Sequence, residues 1–566
     1  MTHIGELDGR QSALLGETPP AAIDHAFPTL TEAQIARIAA HGTTRSVALG
    51  EVLFEAGVQN PRFFVVISGE IQAVRQANDA ETVVTVLTPG KFTGEANLLS
   101  GRRTLVAVRA TQASEVLELT RESLLQLLQT DAELGEIFMR AFILRRVALI
   151  AQNIGDVVLI GSDHSPGTLR IREFLTRNGH PYASVDLDRD EGVQDLLDRF
   201  KFDVSDVPVL ICGGRVVLRN PTNLEIAQCL GFNETIDQTQ VRDVVVIGAG
   251  PAGLAAAVFA ASEGRDVLIV EANAPGGQAG SSSKIENYLG FPLGITGQEL
   301  ADRALMQSRK FGAQLMIAQG ATKLSCDRKP YTLEIGDDTR ISTSTVVIAT
   351  GAEYRRLPLE GIDKFDGAGI YYGATFIEAQ LCRDEEVIVV GGGNSAGQAA
   401  VYLSQHASRV HMLIRGKGLA DTMSRYLIRR IDESPVIEQH TQTEITELSG
   451  GDHLERVCWV NRASGKREPH DIRHIFMMTG AVPSTGWLGG CLAMDANGFI
   501  KTGADISAGE LRNAHWPLSR APFLLETSLP GVFAVGDVRS GSAKRVASAV
   551  GEGSISCSFV LQALRE

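Results

Sequence analysis

The chain has 566 residues, 44% of them hydrophobic, and a formal net charge of −14 at pH 7. This length predicts about three to five domains with ordinary apolar cores, and the negative charge argues against nucleic acid as the main partner. The N-terminal stretch lacks the features of a signal peptide, and no apolar stretch favours a membrane span. Seven scattered cysteines, without a Cys-x-x-Cys pair or metal-type spacing, indicate a reduced, cytoplasmic protein with no metal site.

The front of the chain combines a leader, residues 1–25, with a predicted β-roll, residues 26–150. A helix over 31–40 precedes short strands separated by Gly and Pro turns, and amphipathic helices over 121–150 close the unit. This part resembles the cyclic nucleotide-binding domain family, on the residues Ile67-Ser68-Gly69-Glu70, Gly94-Glu95 and Leu98-Leu99. The resemblance implies that the loop beginning at Gly94-Glu95 holds a cyclic phosphate.

That loop departs from the family pattern, which has an arginine further along the loop to pair with the phosphate. The corresponding residue here is Thr104, preceded by Arg102 and Arg103. An arginine in a shifted register does not present the same fork of N–H donors, so we expect cyclic nucleotides to bind weakly or not at all. The alternatives are a shifted phosphate contact through Arg103 and a β-roll retained for docking or dimerisation.

Residues 156–232 read as a separate α/β unit, in which strands alternate with helices before a pair of apolar strands. This unit resembles the glutaredoxin/thioredoxin fold, on the residues Val207-Pro208, Gly213-Gly214 and Asn220-Pro221. Where that family carries Cys-Pro-x-Cys, the chain has Ser165-Pro166-Gly167-Thr168, preceded by His164 as a surface turn residue. Hydroxyls cannot replace a thiolate in disulfide exchange, so the unit is predicted to be redox-silent. A polar linker over 233–241 follows.

A dinucleotide-binding fingerprint begins directly after this linker. The buried strand at 244–247 runs into Gly248-Ala249-Gly250-Pro251-Ala252-Gly253 and an Ala-rich helix, and the next strand ends on Glu271. Gly248 permits the tight turn, Gly250 lets the backbone approach a pyrophosphate, and Gly253 lets helix and strand pack closely. The helix N-terminus attracts phosphates, and Glu271 is placed to accept hydrogen bonds from an adenosine ribose.

A second fingerprint follows the strand at 387–390. It consists of Gly391, Gly393 and Ala396, with Asn394 and Ser395 between them, and the next strand ends on Arg415 with Lys417 nearby. A cation at this position attracts a 2′-phosphate, which an acid would repel, so this site favours NADPH over NADH. Together the two fingerprints predict FAD at the first site and NADPH, or alternatively NADH, at the second.

From residue 242 to the end the chain resembles low-molecular-weight thioredoxin reductases, with motifs at 276–278, 285–292, 346–358, 477–485 and 529–538. The resemblance implies a flavin domain over 242–359 and 481–566, with a nicotinamide domain over 360–480 inserted into it, and a homodimer. It adds further FAD contacts to the fingerprint residues, namely Gly276, Gly277, Gln278, Asn287, Thr350, Gly351, Gly536, Asp537, Arg545, Val546 and Ala547.

The dithiol that receives electrons in those reductases is missing. Its place falls on Gly373-Ala374-Thr375-Phe376 or, without a gap, on residues 374–377, and neither stretch contains sulfur. Cys382 is the only thiol nearby and cannot form an intramolecular disulfide alone, and Glu378 is a candidate proton carrier. These two are the only catalytic candidates. The family's other two cation positions after the second strand are Gly416 and Ala420, which predicts weak NADPH binding.

The predicted fold is therefore multidomain α/β with an N-terminal β-roll of the cyclic nucleotide-binding type, a thioredoxin-like domain and two Rossmann-like domains. Two functions stay open. The first is an NAD(P)H-dependent flavoenzyme with an electron acceptor other than the usual dithiol, such as a partner's disulfide, a quinone, a ferredoxin-like carrier or oxygen. The second is a regulatory flavoprotein with silenced redox centres, controlled by a cyclic nucleotide or another N-terminal ligand.

Overall fold

The structure is a computed structural model. It describes residues 25–77, 80–94, 96–100, 102–151, 157–162, 165–187, 206–212, 216–282, 284–337, 339–355, 357–374, 376–420, 422–451 and 453–566. Several predictions lie outside these residues: the leader up to residue 24, Glu95, His164, the Gly213-Gly214 turn, Thr375 and a helix within 188–205. None of the helices in the described ranges is both long and apolar enough to cross a membrane.

The first unit is an antiparallel β-roll built from a three-stranded sheet, in the order β1-β7-β3, and a four-stranded sheet, in the order β2-β6-β4-β5. Its core includes the mutually packed rings of Phe63, Phe92 and Phe138. The strands are Thr43–Val47 (β1), Val52–Phe54 (β2), Phe63–Ser68 (β3), Ile71–Ala77 (β4), Ala80–Leu87 (β5), Ala107–Ala110 (β6) and Ser114–Leu119 (β7). The helices are Glu32–Ala39 (α1), Ala96–Ser100 (α2), Arg121–Thr130 (α3) and Ala132–Ala151 (α4).

A middle unit, residues 157–232, has a four-stranded mixed sheet in the order β11-β10-β8-β9. Strand β8 pairs with β9 in parallel, whereas β10 is antiparallel to both β8 and β11. The Val207–Pro208 peptide that precedes β10 is cis. The elements are Val157–Gly161 (β8), Pro166–Arg177 (α5), Ala183–Asp186 (β9), Val209–Cys212 (β10), Val216–Arg219 (β11) and Asn223–Cys229 (α6).

The first Rossmann domain has a sheet in the order β14-β13-β12-β17-β16-β15, with β28 pairing with β17. Strands β12, β13, β14, β17 and β28 run parallel. Its elements are Val241–Ile247 (β12), Pro251–Ser262 (α7), Val267–Val270 (β13), Gly277–Gly280 (α8), Gly297–Lys310 (α9), Gln314–Met316 (β14), Ala321–Ser325 (β15), Tyr331–Ile335 (β16), Thr339–Ile348 (β17), Ala352–Tyr354 (β18), Ala481–Pro483 (β27), Ala508–Asn513 (α13), Val532–Ala534 (β28) and Val546–Ala563 (α14).

Helix α7 is apolar on nearly every face because it is covered on both sides. One side of α7 faces the sheet, and α14 packs on the other side. At this contact, a Cβ on Gly553 of α14 would lie 3.0 Å from the Ala255 Cβ of α7. Only a glycine permits this close approach of the two helices. The Ala-rich sequence of α7 is thus a consequence of its central position in the domain.

The second Rossmann domain is inserted between β18 and β27, which pair with each other antiparallel. Its parallel sheet has the order β19-β26-β20-β21-β22, and an antiparallel sheet in the order β23-β24-β25 shares a core with it around Trp459. The elements are Ile370–Tyr371 (β19), Phe376–Leu381 (α10), Glu386–Val390 (β20), Asn394–Leu403 (α11), Arg409–Ile414 (β21), Arg425–Asp432 (α12), Ile437–Thr441 (β22), Thr443–Ser449 (β23), Arg456–Asn461 (β24), Arg467–His470 (β25) and His474–Met477 (β26).

Two details differ from the sequence expectations. Cys326 and Cys491, 165 positions apart, form a disulfide with their Cα atoms 6.2 Å apart. The prediction that all seven cysteines are reduced is wrong for this pair, because the fold brings together residues that sequence spacing separates. The predicted linker also contacts the rest of the chain. The Asn233 side-chain amide donates to the Ile317 carbonyl and accepts from the Ile317 amide, and Glu234 forms an ion pair with Arg121 at 3.0 Å.

Candidate functional site

The first glycine-rich turn joins β12 to α7 at the carboxyl edge of the parallel sheet. Gly248 has φ 103°, and a Cβ on it would lie 2.7 Å from the carbonyl carbon of Ala349, so no other residue fits there. A Cβ on Gly253 would overlap the carbonyl oxygen of Gly248. These two glycines therefore have the turn and packing roles that the sequence analysis assigned to them.

Gly250 differs from both because the space beside it is open. It precedes Pro251, the first residue of α7, and a Cβ on Gly250 would meet only the Cα of Gly277, at 3.8 Å. The Gly276 amide donates to the Ala249 carbonyl at 2.8 Å and holds the opposite loop in place. The two loops form a cradle of bare backbone in front of the helix N-terminus, which suits a pyrophosphate.

Glu271, after the end of β13, closes this cradle. Its carboxylate accepts hydrogen bonds from the amides of Ala249, at 2.7 Å, and Asn273, at 2.9 Å. Desolvation raises the pKa of Glu271 above its ordinary value, and the two amides act in the opposite direction. The acid predicted to bind a ribose thus also fixes the shape of the glycine turn.

Gly536 and Asp537 lie where α14 approaches α7. A Cβ on Gly536 would lie 2.9 Å from the Ala252 Cβ. Burial raises the pKa of Asp537, the charge of Lys544 acts in the opposite direction, and no hydrogen bond to the Asp537 carboxylate is found among the described residues. A half-buried carboxylate with unused acceptors is the group that a polyhydroxylated chain would bind.

Sequence analysis missed the residues that hold this loop. Glu552, on α14, accepts a hydrogen bond from the Gly536 amide at 2.7 Å and forms an ion pair with Arg539 at 2.6 Å. Neither residue belongs to a recognisable motif, so only the fold shows their role. The nearby predicted residues Arg545 and Ala547 are exposed, and Val546, the first residue of α14, is partly exposed.

Other residues predicted to contact the flavin lie where the two Rossmann domains meet. Gln278 donates a hydrogen bond to the Ala352 carbonyl, and the Thr350 hydroxyl donates to Ser484 at 2.9 Å. The Gly351 carbonyl accepts from the Ser484 amide at 3.2 Å. The predicted contact Asn287 is exposed on a surface loop.

The second glycine-rich turn repeats the geometry of the first. Gly391 packs against the carbonyl of Met478, Ala396 is fully buried, and Gly393 precedes α11 with open space beside it. Asn394 accepts a hydrogen bond from the Ser424 amide at 2.7 Å. The Ser395 side chain is exposed at the start of the helix.

Exposed cations flank this second turn. Arg415 and Lys417 follow β21, and no hydrogen bond or ion pair to Arg415 is found in the described part of the chain. Arg425, the residue after Ser424, is a third exposed cation beside the α11 N-terminus. Sequence analysis missed Arg425 because it counted only the cations that directly follow the strand.

The candidate catalytic residues lie in helix α10 and just after it. Cys382 is fully buried and donates to the Ala379 carbonyl at 3.7 Å, and burial raises the pKa of its thiol to about 12. A thiol of this kind is almost never ionised at neutral pH. Glu378 is partly exposed. Burial raises the pKa of Tyr371, and the negative charge of Glu378 adds to this shift.

Helix α5 of the middle unit lies against both Rossmann domains. Near its start, Leu169 packs on the core of the second domain, which includes Ala374 from the position of the missing dithiol. Its last residue, Arg177, donates to the carbonyl of Gly277 in the first domain at 2.8 Å. The Ser165–Thr168 segment therefore adjoins the second domain, where a Cβ on Gly367 would lie 3.3 Å from the Pro166 Cβ.

The arginines of the β-roll loop contact the middle unit. Arg102 donates to the Asn178 carbonyl at 2.9 Å and stacks over the Phe232 ring, and Arg103 donates to the Cys229 carbonyl at 3.0 Å. The guanidinium of Arg103 makes this contact between domains, and the shifted phosphate contact considered for Arg103 stays a prediction. The Thr104 hydroxyl donates to the Glu55 carbonyl at 2.9 Å.

Arg145, from α4, enters the β-roll pocket in their place. It donates to the carbonyls of Gly94, at 2.8 Å, and Phe92, at 3.1 Å, and it lines the pocket together with Arg62 and Asn97. Sequence analysis missed Arg145 because it lies far along the chain from the loop that it contacts.

Comparisons with known proteins agree with this geometry. The family model for pyridine nucleotide-disulphide oxidoreductases matches residues 242–553, and that for the cyclic nucleotide-binding domain matches residues 44–131. The thioredoxin reductase of Listeria innocua is 30% identical over 319 residues, which cover 56% of this chain and 92% of that protein. The thioredoxin reductase of Ureaplasma parvum is 32% identical over 323 residues, 56% of this chain and 96% of that one.

Solved structures give the same result. The thioredoxin reductase of Lactococcus lactis, in its FR conformation, aligns with 57% of this chain and 99% of its own, at 27% identity and a TM-score of 0.50. Thioredoxin reductases use FAD and NADPH. The two Rossmann domains, their glycine turns and these matches together show that the chain belongs to the pyridine nucleotide-disulphide oxidoreductase family, with a cyclic nucleotide-binding domain in front.

Proposed function

We propose that the chain is an NADPH-dependent flavin oxidoreductase whose electron acceptor is not a dithiol of its own. One observation carries this proposal: two glycine turns of the same geometry lie at the carboxyl edges of two parallel sheets, one beside Glu271 and the other beside exposed Arg415. An acid suits an adenosine ribose, and a cation suits a 2′-phosphate.

The first site fits FAD in its shape and in its acceptors. The cradle between Gly250 and Gly277 leaves room for a pyrophosphate, Glu271 is fixed beside it, and Asp537 offers unused acceptors. When bound, FAD supplies the group that accepts a hydride from the nicotinamide. The residues proposed to hold it are Gly248, Gly250, Pro251, Ala252, Gly253, Glu271, Gly276, Gly277, Gln278, Asn287, Thr350, Gly351, Gly536, Asp537, Arg545, Val546 and Ala547.

The second site is proposed to bind NADPH, with NADH as the alternative. Its residues are Gly391, Gly393, Asn394, Ser395, Ala396 and Arg415, to which the structure adds Arg425. Asn394 also binds the Ser424 amide and so holds Arg425 near the turn. Gly416 and Ala420 leave two cation positions unfilled, which predicts weak NADPH binding. Arg425, from α12, partly compensates for these missing cations.

The acceptor has to reach the flavin from outside the chain. Cys382 is buried with a raised pKa, and the Cys326–Cys491 disulfide joins the end of β15 to a turn of the first Rossmann domain. Neither is a Cys-x-x-Cys pair on the strand-to-helix segment that precedes the second fingerprint. A quinone, oxygen, a ferredoxin-like carrier or a partner's disulfide are the candidate acceptors.

A panel of acceptors tests this proposal. We expect NADPH oxidation with a water-soluble quinone or oxygen, and far slower reduction of an aromatic disulfide reagent. The Cys382→Ala variant should match the wild type with every acceptor, and its flavin content serves as the control for folding. Fast disulfide reduction that disappears in Cys382→Ala would overturn the assignment, and so would an absence of NADPH oxidation with all acceptors.

A regulatory flavoprotein is the second candidate, and the domain contacts favour it. We infer that the middle unit is a thioredoxin-like domain without redox function, an inference supported by the mixed sheet and by the Ser165–Thr168 segment. Its helix α5 contacts both Rossmann domains, and Arg102 and Arg103 link it to the β-roll loop. Through these contacts, a ligand that binds in the β-roll pocket would shift the relative orientation of the two Rossmann domains, provided that it binds one orientation more tightly than the other.

Calorimetry with cAMP and cGMP on the full chain distinguishes the candidates. We expect weak or absent binding, since Arg102 and Arg103 are used between domains. Micromolar binding that also changes the rate of flavin reduction would favour the regulatory candidate. The homodimer and the cytoplasmic location stay predictions, which light scattering and fractionation would test.

A further inference from the structure

Three ligand-type side chains meet on one face of the second Rossmann domain. His411 lies on β21, and Glu438 and His440 lie on the neighbouring strand β22. His411 is paired in register with Glu438, and alternate residues of a strand share a face, so all three side chains project to the same side of the sheet. The 29 positions between the two histidines conceal this arrangement from sequence analysis.

The three ligand groups form a triangle. His411 Nδ1 and His440 Nε2 are 3.0 Å apart, Glu438 Oε2 lies 3.8 Å from His411 Nδ1, and Glu438 Oε1 lies 3.7 Å from His440 Nε2. Zinc ligands lie roughly 2.0–2.2 Å from the metal, which places tetrahedral ligands roughly 3.3–3.5 Å apart. One ligand atom from each residue lies within 4.8 Å of the other two, so a metal ion needs the imidazoles to move slightly apart and the Glu438 carboxylate to turn one oxygen towards them.

The surroundings of the triangle are those of a metal site. His411 is 5% exposed, and its other ring nitrogen, Nε2, lies 3.0 Å from the Glu386 carboxylate. Held in this way, Nε2 carries the proton and Nδ1 presents its lone pair to the triangle. The buried Trp459 ring lies 5.5 Å from His411 and 5.2 Å from His440 and covers one side.

We propose that His411, Glu438 and His440 bind one divalent transition-metal ion, with Zn²⁺ as the best match and water as the fourth ligand. Two imidazoles and one carboxylate suit zinc, whereas Mg²⁺ and Ca²⁺ take oxygen ligands. The site lies on the face of the sheet and not at its carboxyl edge, since His411 pairs with Ile388 in the middle of β20, whereas Gly391 follows the last residue of that strand. Its role is therefore to brace β21 against β22, away from the nucleotide.

The test uses the full FAD-loaded chain, stripped of metal with a chelator and titrated with ZnCl₂ in a calorimeter. We expect one tightly bound ion per chain and an increased thermal midpoint in its presence. His440→Ala should abolish tight binding, and Glu386→Gln should weaken it by about 10- to 100-fold. His453→Ala, at an exposed histidine of the same domain, is the matched control and should bind like the wild type.

A second measurement uses the wild type and one variant that keeps all three proposed ligands. Ni²⁺ should quench the fluorescence of Trp459 in the wild type, and the Trp459→Phe variant should lack the quenched component. The proposal is wrong if the wild type takes up no stoichiometric Zn²⁺, which would leave a hydrogen bond between the two imidazoles. It is also wrong if His440→Ala retains wild-type affinity while its flavin content is normal.

Discussion

The two glycine-rich turns share a backbone and differ in what surrounds them. In both, a glycine packs against a neighbouring carbonyl group and a second glycine leaves space before the helix. The first turn is closed by Glu271, whose carboxylate is bound to two backbone amides. The second is flanked by exposed cations, including Arg415. The comparison indicates that one fold element is adapted for a resident cofactor in the first site and for an exchanging one in the second.

The largest effect should come from filling the space at the two open glycines. Gly250→Val should yield protein without flavin, because the side chain occupies the place of the pyrophosphate. Gly393→Val should keep its flavin and lose reduction by NADPH. Absorption spectra of the purified variants, followed by anaerobic addition of NADPH, measure both effects.

Gly551→Ala is the control for that pair. Gly551 lies inside α14 of the first Rossmann domain, and a Cβ there meets nothing within 4 Å. Its flavin content should equal that of the wild type. Gly250→Val protein that is fully loaded with flavin, or loss of flavin from Gly393→Val, would contradict the assignment of FAD to the first turn and NADPH to the second.

The next effect concerns the cations of the second turn. Arg415→Ala should weaken the binding of NADPH by roughly 1.5–3 kcal/mol, which is a factor of about 10 to 150 in affinity, because a hydrogen bond to a charged group is lost. NADH lacks the 2′-phosphate and should change little. Arg425→Ala should follow the same pattern, and Arg429→Ala, an exposed cation on the same helix paired with Glu433, is the control. Equal losses for both nucleotides, measured as KM, would show that these arginines do not read the phosphate.

A smaller effect concerns the outer support of the first site. The side-chain amide of Gln298 donates hydrogen bonds to the Asp302 carboxylate, on α9, and to the Arg177 carbonyl of the middle unit. The charges of Arg102, Arg146 and Glu299 also act on Asp302. Burial raises the pKa of Asp302 from 3.8 to about 6. The folded state therefore favours the protonated acid, and this contribution to stability is present below pH 4 and lost as the pH rises through 6.

Asp302→Asn imitates the protonated form. It should raise the free energy of unfolding by about 1–3 kcal/mol at pH 8 and leave it unchanged near pH 4, since one pKa unit corresponds to about 1.4 kcal/mol. Urea unfolding midpoints at the two pH values, with Asp505→Asn as an exposed control, measure the difference. Destabilisation at pH 8 would mean that the attraction of Asp302 to the charges of Arg102 and Arg146 outweighs its desolvation.

The two Rossmann domains and their glycine turns could be predicted from the sequence, because each turn is encoded within a short stretch of residues. Gly248 and Gly391 follow apolar strands directly, so their positions could be predicted from spacing alone. The partners of these turns come from distant parts of the chain and leave no local signal. Glu552 binds the Gly536 amide across 16 positions, and Arg145 reaches Gly94 across 51.

The arginines of the β-roll illustrate the same limit from the other side. The sequence shows Arg102 and Arg103 as cations beside the loop at Gly94, but their partners belong to another domain, more than 70 positions away. A charge in a sequence predicts that a partner exists and does not identify it. The His411–His440 pair, on adjacent strands, was missed for this reason.

We propose that electrons pass from NADPH to the flavin in a chain without the usual dithiol, and anaerobic stopped-flow mixing of the FAD-loaded protein with NADPH tests this electron transfer. We expect one equivalent of NADPH to bleach the flavin absorbance, at a rate that saturates with NADPH, and we expect the Gly393→Val variant to stay yellow. A wild-type flavin that is bleached by dithionite but stays oxidised in excess NADPH would contradict the claim.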